Sequence, residues 1–235
     1  MSNKIGLSSA SFCLWDINAQ RKINICRALG FERIEIALST VRMLKEFASN
    51  AGFCKELKAF SSITIHAPWC RILYGHNGET KKVLKYLHQI NEVFNVEAYI
   101  FHFDRIVDFT FINQSGLPIR LENSEITGLW PHFAKVLDEY AFDCVLNINR
   151  AVRNENYLTQ MLKRYKHKIA AVYISGFTGG LNRTPFITSG RNYLLDQVKL
   201  LKVPFIIEGL FPPENYSLIL KEKELIKEKI AAYQN

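Results

Sequence analysis

The chemistry of this chain sits at the ends of short apolar runs. Ser62-Ile-Thr-Ile-His-Ala-Pro68 delivers His66, and Ala98-Tyr-Ile-Phe-His-Phe103 delivers His102. Leu117-Pro-Ile-Arg-Leu-Glu-Asn-Ser124 delivers Glu122, and Val203-Pro-Phe-Ile-Ile-Glu208 ends on Glu208. Imidazoles and carboxylates together are donors that suit zinc, manganese or iron. Two carboxyl groups in a poorly solvated cavity are equally suited to moving a proton. Residue types alone leave both open. Without a cation Glu122 and Glu208 repel, and one of them holds a proton. A basic neighbour relieves the repulsion too: Arg120, two residues before Glu122, shares its face of the strand at a lower layer. Each group also has an ordinary explanation. A lone histidine near a strand end is more often structural, and Glu35, in the run Arg33-Ile-Glu-Ile-Ala-Leu38, can pair with Arg33 or a loop amide.

These side chains meet only if their runs are strands of one sheet. Apolar runs at 5–8, 33–38, 62–68, 98–103, 117–122, 144–149, 170–175 and 203–208 alternate with helical stretches. The clearest helix spans about 78–95, where Val83, Leu87, Ile90 and Phe94 form an apolar stripe. Strands alternating with helices imply right-handed crossovers and a parallel sheet. Eight such units in 235 residues predict an α/β chain folded as a single-domain (β/α)8 barrel over residues 1–235. The alternative, an open doubly wound sheet, lacks a GxGxxG after any strand. The stretch 104–116 is expected to be a long loop with a small hairpin. A glycine-rich loop (Gly176, Gly179, Gly180) follows the seventh strand.

Barrel sites form where strands end, and alternate residues point inward. Period two therefore adds Glu35, Asn147 or Asn149, and Tyr173 or Ser175 to the polar groups at that end. Composition sets the outer bounds. A hydrophobic content of 48% with 22% charged residues supports a sizeable core. No apolar run approaches the roughly 18 residues of a membrane span, and Met1-Ser-Asn-Lys-Ile5 leads straight into a strand, so a cytoplasmic, membrane-free protein is expected. Five cysteines without a CxxC indicate neither a disulfide framework nor a zinc ribbon, and most are expected to be buried thiols. A net charge of +8 favours phosphate-bearing ligands or nucleic acid. Mixed-sign stretches such as Lys221-Glu-Lys-Glu224 read instead as solvated helix faces.

The order Ile65-His-Ala-Pro68, His102, Leu121-Glu-Asn123 and Ile207-Glu-Gly209 resembles the xylose isomerase-like TIM barrel superfamily. That group holds sugar isomerases, sugar-phosphate epimerases and endonuclease IV-type nucleases. Ile5-Gly-Leu7, Ile34-Glu-Ile36 and Arg183-Thr-Pro-Phe186 extend the resemblance over nearly the whole chain. It implies that Glu122 and Glu208 match two carboxylate ligands of the common metal site and form the catalytic pair. The other two ligands, an aspartate and a histidine, are matched here by Asn147 and Tyr173. Asparagine offers only a neutral carbonyl, and tyrosine is a poor ligand at neutral pH. Arg150 and Arg183 stand where nucleases carry histidines. His66, His102 and Glu122 match a neighbouring metal position in the nuclease branch, while the same two histidines contact substrate in sugar epimerases.

Three functions are therefore expected in competition. The first is a sugar or sugar-phosphate isomerase or epimerase. Glu122 and Glu208 would transfer the proton, with or without a divalent metal (Zn, Mn or Fe) held by Glu122, Glu208, His66 and His102. Its substrate would meet His66, His102, Arg150, Arg183 and Trp69, the arginines holding a phosphate or carboxylate and the indole stacking on the sugar. The second is a catalytically inactive binding or regulatory barrel. The third is an endonuclease IV-like phosphodiesterase on abasic DNA.

Overall fold

The barrel is built from strands of three to six residues whose side chains are apolar on both faces, the pattern of strands covered by helices outside and filled inside. In the computed structural model, which describes residues 5–50, 53–152, 155–179 and 181–231, the first seven are β1 (Ile5–Ser8), β2 (Arg33–Ala37), β3 (Ser62–His66), β4 (Ala98–His102), β5 (Ile119–Glu122), β6 (Asp143–Asn147) and β7 (Ile169–Ile174). A two-stranded antiparallel hairpin, β8 (Gly176–Thr178) and β9 (Leu181–Thr184), comes before the last barrel strand, β10 (Phe205–Ile207). The ring runs β1-β10-β7-β6-β5-β4-β3-β2, parallel throughout, and β1 closes it by pairing with both β2 and β10.

The helices are α1 (Ala19–Ala28), α2 (Val41–Ala48), α3 (Phe53–Leu57), α4 (Gly78–Val93), α5 (Phe109–Asn113), α6 (Trp130–Glu139), α7 (Ile148–Ala151), α8 (Glu155–Arg164), α9 (Phe186–Ser189), α10 (Leu195–Val198) and α11 (Tyr216–Ala231). Asn18, Thr40, Asn77 and Asp108 cap α1, α2, α4 and α5 by accepting from a backbone N–H three residues on. Val83, Leu87 and Ile90 of α4 are buried, as their spacing requires.

Two apolar layers separate inside from outside. The large one lies between strands and helices; the small one (Ala98, Ile100, Val145, Ala171, Tyr173, Ile206) comes from inward positions one or two periods below the strand ends. Gly6 of β1 makes room for it, since a Cβ there would lie 2.6 Å from Ile206 Cδ1. Below that layer Glu97 accepts from Arg33, Arg120 and Ser62. Arg120 thus points inward at a lower layer, and its carboxylate partner is Glu97 rather than Glu122.

The structure corrects several local expectations. The segment 104–116 holds no hairpin: a 3-10 turn at Phe103–Arg105 leads to α5, and the hairpin lies in the glycine-rich stretch after β7. The sixth strand stops at Asn147, because the chain turns at once into α7. Of the thiols, Cys26 and Cys144 are buried but Cys13 and Cys70 are exposed. The side chain of Cys54, and Gly180, lie outside the described residues. Among the described residues no helix is long and apolar enough to cross a membrane.

Candidate active site

The C-terminal strand ends enclose a cavity of about 310 Å³. His66, Trp69, His102, Glu122, Arg150, Arg183 and Glu208 all line it, together with Glu35 and Asn147. The two histidines end β3 and β4, Glu122 ends β5, and Glu208 follows β10, so four strands bring them together. Trp69 lies edge-on to both imidazoles, with ring centroids 4.8 Å from His66 and 5.5 Å from His102.

Glu122 is the hub. Its Oε2 lies 3.0 Å from His66 Nε2 and 3.3 Å from His102 Nδ1. Its Oε1 accepts from Asn147 Nδ2 at 2.7 Å and lies 3.4 Å from Arg150 Nη1. Burial alone would raise this carboxyl's pKa, but the Arg150 charge and the His66 hydrogen bond outweigh it and hold the group far below its ordinary value. Glu122 is therefore a fixed anion. His66 is its counterpart: Nε2 faces the carboxylate, and Nδ1 faces the Ala67 carbonyl at 3.1 Å. Burial opposes charging of this ring, yet the bond to Glu122 raises its pKa overall. With an acceptor at each nitrogen, the imidazolium form satisfies both.

Arg150 comes from α7, a single turn that the sequence Asn147-Ile-Asn-Arg150 begins. The Asn147 side chain accepts the Arg150 backbone N–H at 3.4 Å, an N-cap contact. Arg150 Nη1 donates to His102 Nδ1 at 2.8 Å and to the Asn123 carbonyl at 3.1 Å. Burial lowers the pKa of His102 well below its ordinary value, and the neighbouring charges of His66 and Arg150 act in the same direction. One cationic and one neutral imidazole thus flank the same carboxylate.

Asn147 joins the two acids. Its Nδ2 donates to Glu122 Oε1 at 2.7 Å and to Glu208 Oε2 at 2.8 Å. Asn123 aims it: the Asn147 backbone N–H donates to Asn123 Oδ1 at 2.6 Å, and Asn123 Nδ2 donates back to the Asn147 carbonyl at 3.2 Å. Asn149 turns aside to Ser175 and the Gly176 carbonyl. Tyr173 is buried in the inner apolar layer, away from the cavity lining, and its hydroxyl has no partner.

Glu208 and Glu35 differ from Glu122. Burial raises the pKa of Glu208 despite the nearby Arg183 charge. Glu35 is fully buried, accepts from Ser8 Oγ at 2.6 Å through Oε1, and leaves Oε2 unpartnered. Burial pushes its carboxyl up to about 8. Arg183 sits at a left-handed φ of 63°, costly for a residue with a side chain. Its Nε donates to the Glu208 carbonyl at 3.1 Å, its own carbonyl accepts from Leu210, and Nη2 is buried without a partner.

The expected metal positions can be tested against these contacts. His66, His102 and Glu122 place donor atoms within 4.8 Å of one another, a set compatible with a divalent cation. The hydrogens around them are arranged otherwise. His66 Nε2 faces Glu122 as a donor, the His102 Nδ1 lone pair accepts from Arg150, and the Asn147 amide donates between Glu122 and Glu208. Tyr173 stands off the cavity altogether. In this arrangement the residues do not fit a metal at either position.

Period two placed Glu35 at this end, and it does line the cavity; the part played by Asn123 was not legible. The Asn123–Asn147 exchange depends on two strand ends meeting and leaves no mark on spacing.

The closed ring of parallel strands with helices between them is a (β/α)8 TIM barrel, with polar groups gathered at its C-terminal mouth. The chain is similar over 97% of its length to 97% of a D-tagatose 3-epimerase-like protein (TM-score 0.67, 14% identity). It is similar over 96% to 99% of endonuclease IV from Thermus thermophilus (TM-score 0.61, 14% identity). It also matches, over 97% of its length, 98% of the IOLI protein with a bound zinc atom (TM-score 0.62, 16% identity). At these identities the likeness is one of fold. Comparison of the sequence with protein-family models and with curated proteins returns no match.

Proposed function

We propose that this barrel transfers a proton at the carbon next to the carbonyl of a sugar or sugar phosphate, as an isomerase or epimerase does. The observation that carries this reading is the pairing, in one cavity, of the buried acids Glu208 and Glu35 with the cation of Arg150. Glu208 is the principal proton carrier: its raised pKa brings it nearer the working range of a general base than Glu122. Glu35 is the second carrier, with a free oxygen and a pKa of about 8. Glu122, the other half of the expected pair, has a different task in this scheme, fixing His66, His102, Asn147 and Arg150 in place. Arg150 supplies positive charge for the enediolate oxygen that forms as the proton leaves. Trp69 provides an apolar face for the sugar, and Arg183 a guanidinium for a phosphate or carboxylate. The names of an epimerase-like neighbour and of a D-psicose 3-epimerase with D-fructose agree with this substrate class.

A second reading, ligand binding without turnover, draws on Asn147, whose amide already occupies both acids. The reading on abasic DNA needs metal-activated water, and the Arg150 and Asn147 contacts work against it. The two leading readings separate in heavy water. Ketohexoses and their phosphates, incubated with the protein in D2O, are expected to gain deuterium beside the carbonyl. Glu208→Gln should slow that gain by about a hundred-fold or more. Binding of a sugar with no exchange in any of them would favour the binding barrel.

A further inference from the structure

We propose that the guanidinium of Arg150 is the resident cation of this site, standing where a divalent ion would otherwise stand, and that His66, His102 and Glu122 form a latent metal site which this side chain keeps closed. The inference concerns occupancy and does not depend on which reaction, if any, the cavity performs.

Three contacts of one nitrogen carry it. Arg150 Nη1 lies 2.8 Å from His102 Nδ1, 3.4 Å from Glu122 Oε1 and 3.1 Å from the Asn123 carbonyl oxygen. Two of those atoms belong to residues of the trio whose donors fall within 4.8 Å of one another. The guanidinium consumes the lone pair that His102 would offer a metal, and it compensates the charge that Glu122 would offer. Arginine suits the place because its charge is permanent and its planar fork reaches several acceptors at once.

The surroundings reinforce the exclusion. His66 has an acceptor at each ring nitrogen, the Glu122 carboxylate and the Ala67 carbonyl, so in this arrangement it presents hydrogens to both. The Asn147 amide spends its hydrogens on Glu122 and Glu208. An incoming dication would meet a guanidinium a few ångströms away in a poorly solvated pocket, where repulsion is only weakly screened. Once Arg150 is removed, His102 recovers its lone pair and Glu122 loses its nearest fixed cation. What remains is two imidazoles and a carboxylate, a set able to hold a divalent ion.

The test reads metal content rather than turnover, so its failure is distinct from failure of the proton-transfer reading. The full chain, Arg150→Ala, Arg150→Gln and Arg150→Lys are each dialysed against cobalt(II) chloride, passed through a desalting column and assayed for bound metal and visible cobalt absorption. The unaltered protein and Arg150→Lys are expected to retain no cobalt at the trio. Arg150→Ala and Arg150→Gln should bind one equivalent at least about a hundred-fold more tightly, as expected from removing a unit charge a few ångströms from the ion. Adding His102→Ala to either should abolish that gain. Arg150→Gln keeps a shorter, neutral polar side chain should Arg150→Ala fail to fold. Retention of a full equivalent by the unaltered protein, lost on His102→Ala, would overturn the proposal. So would neutral variants that hold no more cobalt than the unaltered chain.

Discussion

Arg150 donates to Nδ1 of His102 at 2.8 Å, and that contact fixes the tautomer of the ring. A guanidinium has no lone pair to offer, so Nδ1 must be the acceptor and the proton of the neutral ring must sit on Nε2. Burial holds the His102 pKa well below its ordinary value, with the charges of His66 and Arg150 acting in the same sense. His102 should therefore be neutral at pH 6.5 and above, where an ordinary imidazole is still partly protonated. Nitrogen-15 spectra of labelled protein should show Nδ1 unprotonated there, and Arg150→Gln should raise the ring's pKa only part of the way, since burial, the larger cause, remains. A His102 signal titrating near 6.5 in the unaltered protein would contradict the assigned hydrogen bond.

Asn147 is worth more to the fold than a neutral amide usually is, because its amide nitrogen meets two buried carboxyl groups. Hydrogen bonds to charged groups contribute about 1.5–3 kcal/mol each, so Asn147→Ala should cost on the order of 3 kcal/mol in urea unfolding. Asn147→Asp places a third carboxyl between Glu122 and Glu208. The crowded group will hold its proton above its unfolded-state pKa. Its proton-linked stabilisation is present at low pH and lost as pH rises through the folded pKa. The deficit of Asn147→Asp relative to the unaltered chain should thus be larger at pH 8 than at pH 5. Equal deficits at the two values would mean that the new acid reaches solvent.

Glu35 makes a related prediction with a window of its own. Its folded pKa is raised from 4.5 to about 8, chiefly by burial. Between those values the folded state binds more protons than the unfolded one, so this residue makes the protein less stable as pH rises through that interval. Glu35→Gln removes the titration. The variant should match the unaltered chain near pH 4 and exceed its stability near pH 9 by an amount on the order of a few kcal/mol. Parallel stability curves for the two proteins between pH 4 and 9 would show that Glu35 does not titrate there.

The barrel was legible because alternation of apolar runs and helical stripes survives small errors of position. Shifting β6 by a residue or two does not alter the number of strands. The site was legible to the extent that it depends on period two: His66, His102, Glu122 and Glu208 all line the cavity. What period two cannot see is contact between elements. Arg120 shares the inward face of Glu122 but is claimed by Glu97, which precedes the neighbouring strand β4. Asn147 and Tyr173 occupy paired register positions on β6 and β7, yet one enters the cavity lining and the other the apolar layer. The misplaced hairpin has a similar cause. Asp108 caps α5 through its side chain, a local bond that outweighs the loop-like composition of 104–116.

Glu222 governs the rim from outside the cavity. It lies on α11, fully buried, and its carboxylate accepts the backbone N–H groups of Phe186 at 2.7 Å and Ile187 at 2.9 Å. These are the first residues of α9, whose preceding Pro185 supplies no side-chain cap, so the cap comes from 36 residues further along the chain. The same segment continues back into Arg183, whose carbonyl accepts from Leu210 and whose Nε meets the Glu208 carbonyl. Gly209 lets the two stretches lie close, since a Cβ there would be 3.1 Å from Pro185 Cα. Removing the carboxylate strands the buried Phe186 donor, a loss of about 1–3 kcal/mol, and frees the part-buried Ile187 donor to water at a smaller cost. Glu222→Ala should therefore destabilise the protein and speed hydrogen exchange at Phe186, Ile187 and Leu210, leaving the amides of α4 protected. Glu222→Gln, which keeps one acceptor, should show roughly half the stability loss. If exchange at those three amides were unchanged in Glu222→Ala, the rim would be held by its own packing and not by the last helix.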